Sequence, residues 1–404
     1  MRIAIWVPNV IVPMETFIIT QIKQLCDAGH MVRIVAFGKL KGMAPYRDDR
    51  YPVFEHTLNV APPTNDLKKA RAMGRAFFAS RHKTAVFKAL NAKRFGRLTN
   101  KMYLSWYCLA LEQQLDMPTD LVLCHFGHIG NIAAGLYKLG LLATPFATFF
   151  HGFDFHRLVP RYGAGFYNLL KESDRPVLAA SAHLRDALLG IGFDPQRTFV
   201  HHMALDPLFF SPPPALDKHD HPRSLALITV ARLEKIKGLH LAIQAMRLLR
   251  SDGIPFHYTI IGDGSQRAIL EEMVREMGLT DSIRFTGPLS GTAIRQHLDA
   301  AHLFILPSII DEGGAPLVLQ EAMSRGVLVV GSQRGGIPAL IAPHGWLLES
   351  ETPDAIHQAI RAYWMTTPAE RRHRQAEAIK RIQTEFDIAA LNKRLLEICG
   401  RFLS

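Results

Sequence analysis

Short apolar runs alternate with longer amphipathic stretches along most of the chain. Each run is rich in β-branched or other apolar residues and leads into a polar or glycine-containing turn. This alternation predicts strands and helices that succeed one another, which is the pattern of parallel sheets covered by helices. The predicted strands are residues 3–7, 32–37, 120–124, 146–150 and 176–180 in the first half, and 225–231, 258–262, 283–286, 303–306 and 327–330 in the second half.

The alternation is interrupted at residues 211–223, a proline-rich stretch with the composition of a linker. We therefore predict an α/β protein of two doubly wound, Rossmann-like lobes, residues 1–210 and 224–385. A final helix within residues 386–404 is predicted to pack back toward the first lobe. A chain of 404 residues is long enough for two lobes with sizeable cores.

Composition favours a cytoplasmic protein. The four cysteines are scattered, with no pair at metal-binding or redox spacing, which is typical of a reducing compartment. The apolar stretch at residues 1–12 is short and lacks the small-residue cleavage site of a signal peptide. No apolar run reaches the length of about eighteen residues that a membrane span needs. We therefore do not expect an integral membrane protein.

The net charge of +11 is unevenly distributed. Residues 67–111 contain no acidic side chain, and eleven cations lie in the part we call the basic segment, residues 67–105. These cations are Lys68, Lys69, Arg71, Arg75, Arg81, Lys83, Lys88, Lys93, Arg94, Arg97 and Lys101. Apolar and aromatic residues are interleaved with them at roughly helical spacing, which favours helices lying on an anionic membrane surface. A solvated basic face or a nucleic-acid patch would give a similar pattern; we expect no nucleic-acid partner.

Polar residues follow the predicted strands of both lobes. His125 and His151 each follow a strand of the first lobe, and Arg232 and Lys237 follow the first strand of the second lobe. Because ligands of open α/β sheets bind beyond the carboxyl ends of the strands, these turns predict a site in a cleft between the lobes. No Gly-x-Gly-x-x-Gly follows the first strand, which disfavours a dinucleotide-dependent oxidoreductase.

The segment 307–326 carries the most informative pattern. It joins a strand to a helix through a polar turn that contains Glu312, Gly313 and Gly314, and the helix carries a second carboxylate, Glu321. The two glycines allow the backbone to approach a ligand closely, and the free N–H groups of a helix start attract phosphate. The segment therefore predicts a site for a ligand with phosphate and hydroxyl groups, such as a nucleotide sugar.

Six motifs occur together in one order along the chain. They are Glu-Thr-Phe-Ile at 15–18, His-Phe-Gly at 125–127, His-Gly-Phe-Asp at 151–154, Thr-Val-Ala-Arg-Leu-Glu-Lys-Ile-Lys-Gly-Leu at 229–239, Ile-Ile-Gly-Asp-Gly at 260–264, and the segment 307–326. Together they resemble the family 4 retaining glycosyltransferases of the GT-B fold, and especially the subgroup that builds bacterial exopolysaccharides of the colanic-acid kind. The resemblance covers nearly the whole chain apart from the basic segment. It implies two lobes whose parallel sheets face a central cleft.

The resemblance also implies roles for individual residues. Arg232 and Lys237 would bind the donor diphosphate, and Glu321 would accept hydrogen bonds from the two ribose hydroxyls. The full set of implied donor-binding residues is Arg232, Lys237, Gly313, Gly314, Ala315 and Glu321, with Gly262 and Gly287 on the base side. The implied catalytic residues are His151, Asp154 and Glu312, and the candidates on the acceptor side are Glu15, His125 and His128. No cofactor or metal is expected, and the sequence contains no Asp-x-Asp motif.

The spacing of the two glutamates departs from the family pattern. In the family, the first glutamate stands eight positions before the second, and that position is Gly313 here. Glu312 stands one position too early. A one-residue bulge in the glycine turn would restore its carboxylate to the donor sugar, because glycine tolerates a positive φ. Without the bulge, the carboxylate is displaced and catalysis is impaired.

The sequence thus predicts a metal-independent, retaining glycosyltransferase that uses a nucleotide-diphosphate sugar. The acceptor implied by the resemblance is a saccharide, carried on a lipid diphosphate at the inner face of the cell membrane. A catalytically impaired relative that binds a sugar nucleotide or serves as an assembly partner is the alternative, which Gly313, Ala204 and Ala339 keep open. A glycoside hydrolase would need two carboxylates across the sugar and has no use for the phosphate-binding pair.

Overall fold

A computed structural model describes residues 1–9, 16–38, 48–115, 117–210, 223–311 and 313–402. These residues form two units. Unit 1 comprises the described residues of Met1–His201 and Ile388–Ser404, and unit 2 comprises those of His202–Asp387. Of the predicted linker, only Arg223 lies among the described residues.

Unit 1 contains a parallel sheet of seven strands in the order β3-β2-β1-β4-β5-β6-β7. The strands are β1 (Arg2–Val7), β2 (Met31–Ala36), β3 (Leu58–Asn59), β4 (Leu121–His125), β5 (Phe146–Phe150), β6 (Val177–Ala179) and β7 (Thr198–Val200). Every residue of β4 and β5 is buried, which accounts for their largely apolar sequences. The strand order changes direction between β1 and β4, and such a switch point is where α/β sheets bind ligands.

The helices of unit 1 include those formed by the basic segment. They are α1 (Thr16–Asp27), α2 (Asp66–Ala79), α3 (Lys83–Lys88), α4 (Ala92–Phe95), α5 (Tyr103–Ala110), α6 (Glu112–Leu115), α7 (Gly127–Lys138), α8 (Phe153–His156), α9 (Leu158–Tyr162), α10 (Asn168–Lys171) and α11 (Ala182–Gly190). A 3-10 turn, Gly96–Met102, joins α4 to α5. No helix among the described residues is both long and apolar enough to cross a membrane.

The apolar residues of the basic segment divide into two groups. Val86 and Phe95 are buried in unit 1. Phe78 and Phe87 are 80% and 63% exposed, and Leu90 is 41% exposed. The basic segment therefore packs on the unit with part of its apolar surface and leaves aromatic side chains uncovered among its cations.

Unit 2 contains a parallel sheet of six strands in the order β10-β9-β8-β11-β12-β13. The strands are β8 (Leu225–Val230), β9 (Phe256–Ile261), β10 (Ile283–Gly287), β11 (Leu303–Leu306), β12 (Leu328–Gly331) and β13 (Trp346–Leu347). The helices are α12 (Leu239–Ser251), α13 (Arg267–Glu276), α14 (Gly291–Ala300), α15 (Leu317–Ser324), α16 (Ile337–Ile341), α17 (Pro353–Met365) and α18 (Pro368–Glu385). The switch point of this sheet lies between β8 and β11, so the loops that follow these two strands are its candidate site.

The last helix, α19 (Ile388–Gly400), belongs to unit 1 although it follows unit 2 in the chain. It packs on α1, and its Leu395 and Ile398 share one buried cluster with Ile22. Gln21 Nε2 also donates to Asn392 Oδ1 at 3.4 Å. Unit 1 is thus assembled from two separate parts of the chain.

The predicted α/β class with two Rossmann-like parallel sheets is confirmed. All ten predicted strands are present, with ends displaced by at most two residues. The sequence did not predict β3, β7 and β13, which have two or three residues each and lie at the edges of the sheets. These edge strands carry few residues and little apolar pattern, whereas the three residues of β6 lie inside the sheet within a longer apolar run.

Candidate active site

In unit 2, the loops that follow β8, β9, β10 and β11 are bonded to one another at the carboxyl ends of the strands. The connecting backbone hydrogen bonds are Leu233 N to Asp263 O (2.9 Å), Gly262 N to Gly287 O (3.0 Å) and Ile309 N to Ile236 O (2.9 Å). The two glycines predicted on the base side are therefore in direct contact with each other. We call these four loops the strand-end cluster.

The loop after β8 carries the two predicted phosphate-binding cations. Arg232 is exposed two residues beyond the strand, and Lys237 ends a short 3-10 turn. Gly238 follows with φ 67°, and a Cβ at this position would lie 2.1 Å from Pro307 O. Only glycine allows the start of α12 to approach the loop after β11 this closely. Lys237 is thereby held beside the segment 307–326.

The turn after β11 is equally tight. Gly313 has φ 85°, and its N–H donates to Asp311 Oδ1 at 2.6 Å. A Cβ on Gly336 would lie 2.7 Å from Ala315 N and 2.9 Å from Gly314 C, so the loop after β12 packs directly on this turn. The hydrogen bond within the turn and the contact with the loop after β12 hold the turn in place before α15 begins.

Glu321 lies on α15 and is partly buried. Burial raises the pKa of its carboxyl to about 7, and the negative charge of Asp206 adds to the increase. Within the described part of the chain, the carboxylate makes no hydrogen bond. It is therefore an acceptor in need of donors, as expected for a group that binds hydroxyls.

In unit 1, Asp154 connects the two turns that carry the predicted histidines. Its carboxylate is fully buried and accepts from the backbone N–H groups of Gly127 (2.7 Å), Gly152 (3.0 Å) and His151 (3.1 Å). Burial raises its pKa to about 6, against the opposing effect of these amides. Asp154 thus fixes the backbone after β4 relative to the backbone after β5, which agrees with a role in orienting the local turn.

His125 and His151 form a coplanar pair. His125 Nδ1 and His151 Nε2 are 3.1 Å apart, and the two ring planes differ by 6°. The ring of Phe149 lies parallel to both. Burial, with the nearby charge of His201, lowers the pKa of His125 to about 3. The pKa of His151 is also well below its ordinary value, again chiefly because of burial. Both rings are therefore neutral at pH 7, and one N–H is shared between them.

The pair has two possible proton arrangements. His125 Nε2 and His151 Nδ1 have no partner among the described residues. If His125 donates to His151, its own unpartnered nitrogen is a bare acceptor and His151 carries an N–H at Nδ1. If His151 donates to His125 instead, the bare acceptor is His151 Nδ1 and the N–H without a partner among the described residues is on His125 Nε2, so each arrangement leaves one buried N–H for a ligand or water. His151 is a hydrogen-bond donor at Nδ1 in the first arrangement.

His128 lies in the first turn of α7 and does not join the pair. Burial lowers its pKa to about 4, and its Nδ1 has no partner in the part of the chain that the structure describes. Two other predicted residues, Glu15 and Glu312, lie outside the described residues.

A family model for glycosyl transferases group 1 matches residues 217–382, which include the whole strand-end cluster. The chain is 30% identical over 398 residues to the putative colanic acid biosynthesis glycosyltransferase WcaL of Salmonella typhimurium, covering 95% of this chain and 96% of the relative. It is also 30% identical over 411 residues to the amylovoran biosynthesis glycosyltransferase AmsK of Erwinia amylovora, covering 96% of each. The chain belongs to the group 1 glycosyltransferases.

Solved structures agree with this glycosyltransferase in fold. A sucrose-phosphate synthase from Thermosynechococcus elongatus has a TM-score of 0.72 at 16% identity, covering 100% of this chain and 99% of that one. The Anabaena protein HepE, in complex with UDP and glucose, has a TM-score of 0.69 at 16% identity, covering 99% of each chain. The predicted GT-B fold is confirmed.

Ser308 and Ser332 are two further polar residues of the glycosyltransferase at strand ends, and the sequence motifs do not include them as candidates. Their hydroxyls are buried, and neither has a partner among the described atoms. Ser308 follows β11 and Ser332 follows β12, two strands that pair side by side. Their place within two residues of the ends of apolar strands was the available signal, since a similar signal identified His125 and His151.

Proposed function

We propose that this glycosyltransferase transfers a sugar from a nucleotide-diphosphate sugar to a saccharide acceptor in the synthesis of a bacterial exopolysaccharide, with retention of the anomeric configuration. The observation that carries the proposal is the placement of Arg232, Lys237 and the turn at 313–315. They follow β8 and β11, the two strands that flank the switch point of unit 2. Cations and backbone N–H groups at this position suit a diphosphate.

The comparisons support the proposed donor and the proposed product of the reaction. HepE was solved with UDP and glucose, which supports a nucleotide-sugar donor. WcaL and AmsK carry names from colanic acid and amylovoran biosynthesis, which supports an exopolysaccharide product. We infer an acceptor linked to a lipid diphosphate at the inner face of the cell membrane, because the basic segment exposes cations and aromatic side chains together.

Each of the described candidate site residues has its own role in the proposed reaction. Arg232 and Lys237 would stabilise the negative charge that grows on the leaving diphosphate. Glu321 would hold the ribose, and His151, in the arrangement that places an N–H at its Nδ1, would donate to an oxygen of the donor sugar. No enzyme nucleophile accompanies these residues in the family mechanism, so the acceptor would attack on the face that the diphosphate leaves, with a phosphate oxygen taking its proton. Positioning and charge stabilisation would then supply the rate, without a metal.

The decisive test is the release of nucleoside diphosphate when the protein and acceptor meet a panel of nucleotide sugars. We expect release with one donor, unchanged by EDTA, and an NMR spectrum of the product that shows the donor's anomeric configuration. Lys237→Ala should lower kcat by about 100- to 1,000-fold, as loss of a charge-stabilising donor does.

Lys235→Ala is the matched control, because Lys235 lies in the same 3-10 turn but is not assigned to the phosphate. Equal rates for Lys237→Ala and the wild type would refute the assignment of Lys237. Tight binding of a nucleotide sugar without release would favour the catalytically impaired alternative.

A further inference from the structure

Unit 1 contains a cavity of about 350 Å³ away from the strand ends. Its walls are the α4 region of the basic segment, the last residue of α7, and residues 162–172. The charged residues that line it are the cations Lys93, Arg94, Arg97 and Lys138 and the single carboxylate of Glu172. This volume lies at the lower end of the range for small-molecule sites, and the excess of positive charge suits an anion.

The one acidic side chain of the lining is already occupied. Lys138 Nζ lies 2.7 Å from Glu172 Oε2. Arg94 Nη2 donates to the backbone oxygen of Lys138 at 3.2 Å, so its guanidinium is fixed at the end of α7 and keeps further N–H groups for a ligand. The remaining cations therefore face the cavity without an acidic partner in its wall.

The opposite wall is aromatic. The guanidinium carbon of Arg97 lies 4.5 Å from the centre of the Tyr162 ring, and the rings of Tyr162 and Phe166 stack at 5.2 Å. Stacking uses the face of the guanidinium and leaves the N–H groups in its plane available to an anion. Gly96, at φ 51°, turns the chain between Arg94 and Arg97 in a conformation that favours glycine.

The cavity is separate from the candidate active site. The helix α7 begins at Gly127, beside the histidine pair, and ends at Lys138 in the cavity wall. Its twelve residues span about 18 Å at 1.5 Å per residue. A ligand in the cavity would therefore not contact His125 or His151.

We propose that this cavity binds a phosphate group that is attached to an apolar or ring-containing molecule. The guanidinium groups of Arg94 and Arg97 take the phosphate, and Tyr162 and Phe166 contact the attached portion. Such a group is offered by the headgroup of an anionic lipid or by a soluble phosphate ester. The proposal does not depend on the transferase reaction, because it rests on contacts within unit 1.

The experiment uses the full chain and two probes. Binding of phenyl phosphate is measured by calorimetry, and binding to phosphatidylcholine vesicles with and without phosphatidic acid is measured by co-sedimentation. We expect the double variant Arg94→Gln, Arg97→Gln to weaken binding by about tenfold or more, since each lost charge-assisted hydrogen bond is costly. The charge-matched control is Arg71→Gln, Arg75→Gln, which changes two exposed cations of the same segment outside the cavity.

Each outcome decides the proposal. Binding of phenyl phosphate that only the cavity variant loses supports the site and a soluble ligand. The same pattern with phosphatidic acid vesicles alone supports the site and a lipid headgroup. Equal losses in the cavity and control variants would show that diffuse charge, not the cavity, binds phosphate. The proposal would also be overturned if neither probe binds. Arg97→Gln alone, which changes an exposed side chain of the lining, gives the same comparison if the double variant misfolds.

Discussion

At the scale of single residues, folding favours a protonated Glu321 carboxyl, and we expect the ligand to change that protonation state. Its pKa of about 7 lies above the ordinary value of 4.5, so burial favours the protonated form. Stability that depends on this group is greatest at low pH and falls as the pH rises from 4.5 through 7. Ribose hydroxyls donate hydrogen bonds and favour the ionised form. Ligand binding and ionisation of Glu321 are therefore coupled.

This coupling predicts a pH dependence of nucleotide affinity. With a pKa near 7, the ionised fraction rises about tenfold between pH 6 and pH 8. We expect the affinity for the nucleoside diphosphate to rise by about the same factor, as measured by calorimetry across that range. Glu321→Gln should bind more weakly at pH 8 and should lose this part of the pH dependence, while the ionisation of the phosphate itself remains. An identical pH profile in Glu321→Gln would contradict the assignment of Glu321 to the ribose.

For single residues, the sequence predicted the candidates but not the contacts between them. The motifs identified His125, His151 and Asp154 as candidates, because each lies near a strand end. They gave no indication that the two imidazoles are coplanar or that three backbone amides bind Asp154. Those relations depend on the side-by-side pairing of β4 and β5, which brings together residues 26 positions apart in the chain.

At the scale of elements, glycine determines how closely helices and loops approach one another. Cβ atoms on Gly127 and Gly130 would lie 2.3 and 2.2 Å from side chains of β5, so α7 lies directly against that strand. In unit 2, Gly238 has the same effect at the start of α12. The sequence placed these glycines near strand ends, but the atoms that exclude a side chain come from distant segments.

Gly238→Ala tests this effect on the active site. The added Cβ would meet Pro307 O at 2.1 Å, and the residue would be held at φ 67°. We expect the free energy of unfolding of unit 2 to fall by more than about 2 kcal/mol, the usual cost of left-handed backbone for alanine. The displaced Lys237 should also weaken nucleotide binding. Denaturant titration and calorimetry measure the two effects.

Gly278→Ala is the matched control. Gly278 has φ 64°, and the nearest atom to its added Cβ is 3.9 Å away. It therefore bears the backbone cost without the clash, and nucleotide binding should be unchanged. If both variants bind nucleotide as the wild type does, the close approach at Gly238 does not position Lys237.

The order of elements was predictable because long buried strands and amphipathic helices repeat with distinct periods. The edge strands β3, β7 and β13 were not, because pairing with a neighbour defines them and their few residues lie outside any longer apolar run. The bonds between loops of the strand-end cluster were also beyond the sequence, since they join backbone atoms whatever the side chains are.

At the scale of the whole molecule, unit 1 depends on a helix that the chain adds after unit 2. Leu395 of α19 is fully buried in the cluster that contains Ile22 of α1. Replacing a buried leucine with alanine costs about 2–5 kcal/mol, which is a large part of the stability of an ordinary domain. The effect should be confined to unit 1.

Leu395→Ala is therefore expected to destabilise unit 1 by about 2–5 kcal/mol and leave unit 2 unchanged. The four tryptophans allow the units to be followed separately by fluorescence, because Trp6 and Trp106 lie in unit 1 and Trp346 and Trp364 in unit 2. Replacing one pair with phenylalanine leaves the other as the reporter during denaturant unfolding.

Arg394→Ala, at the neighbouring exposed position, is the control and should change neither transition. A loss of stability in unit 2 alone would contradict the membership of α19 in unit 1.

The position of α19 also affects how the chain folds during synthesis. Domains generally fold as they leave the ribosome, the earlier ones first. Here the ribosome must translate all of unit 2 before it makes α19, so the surface of α1 that α19 covers stays open throughout that interval. Unit 2 is continuous in sequence and has no such delay. We therefore expect the later unit to reach its native state first, and a nascent chain stalled before residue 388 to need a chaperone to cover the exposed face of α1.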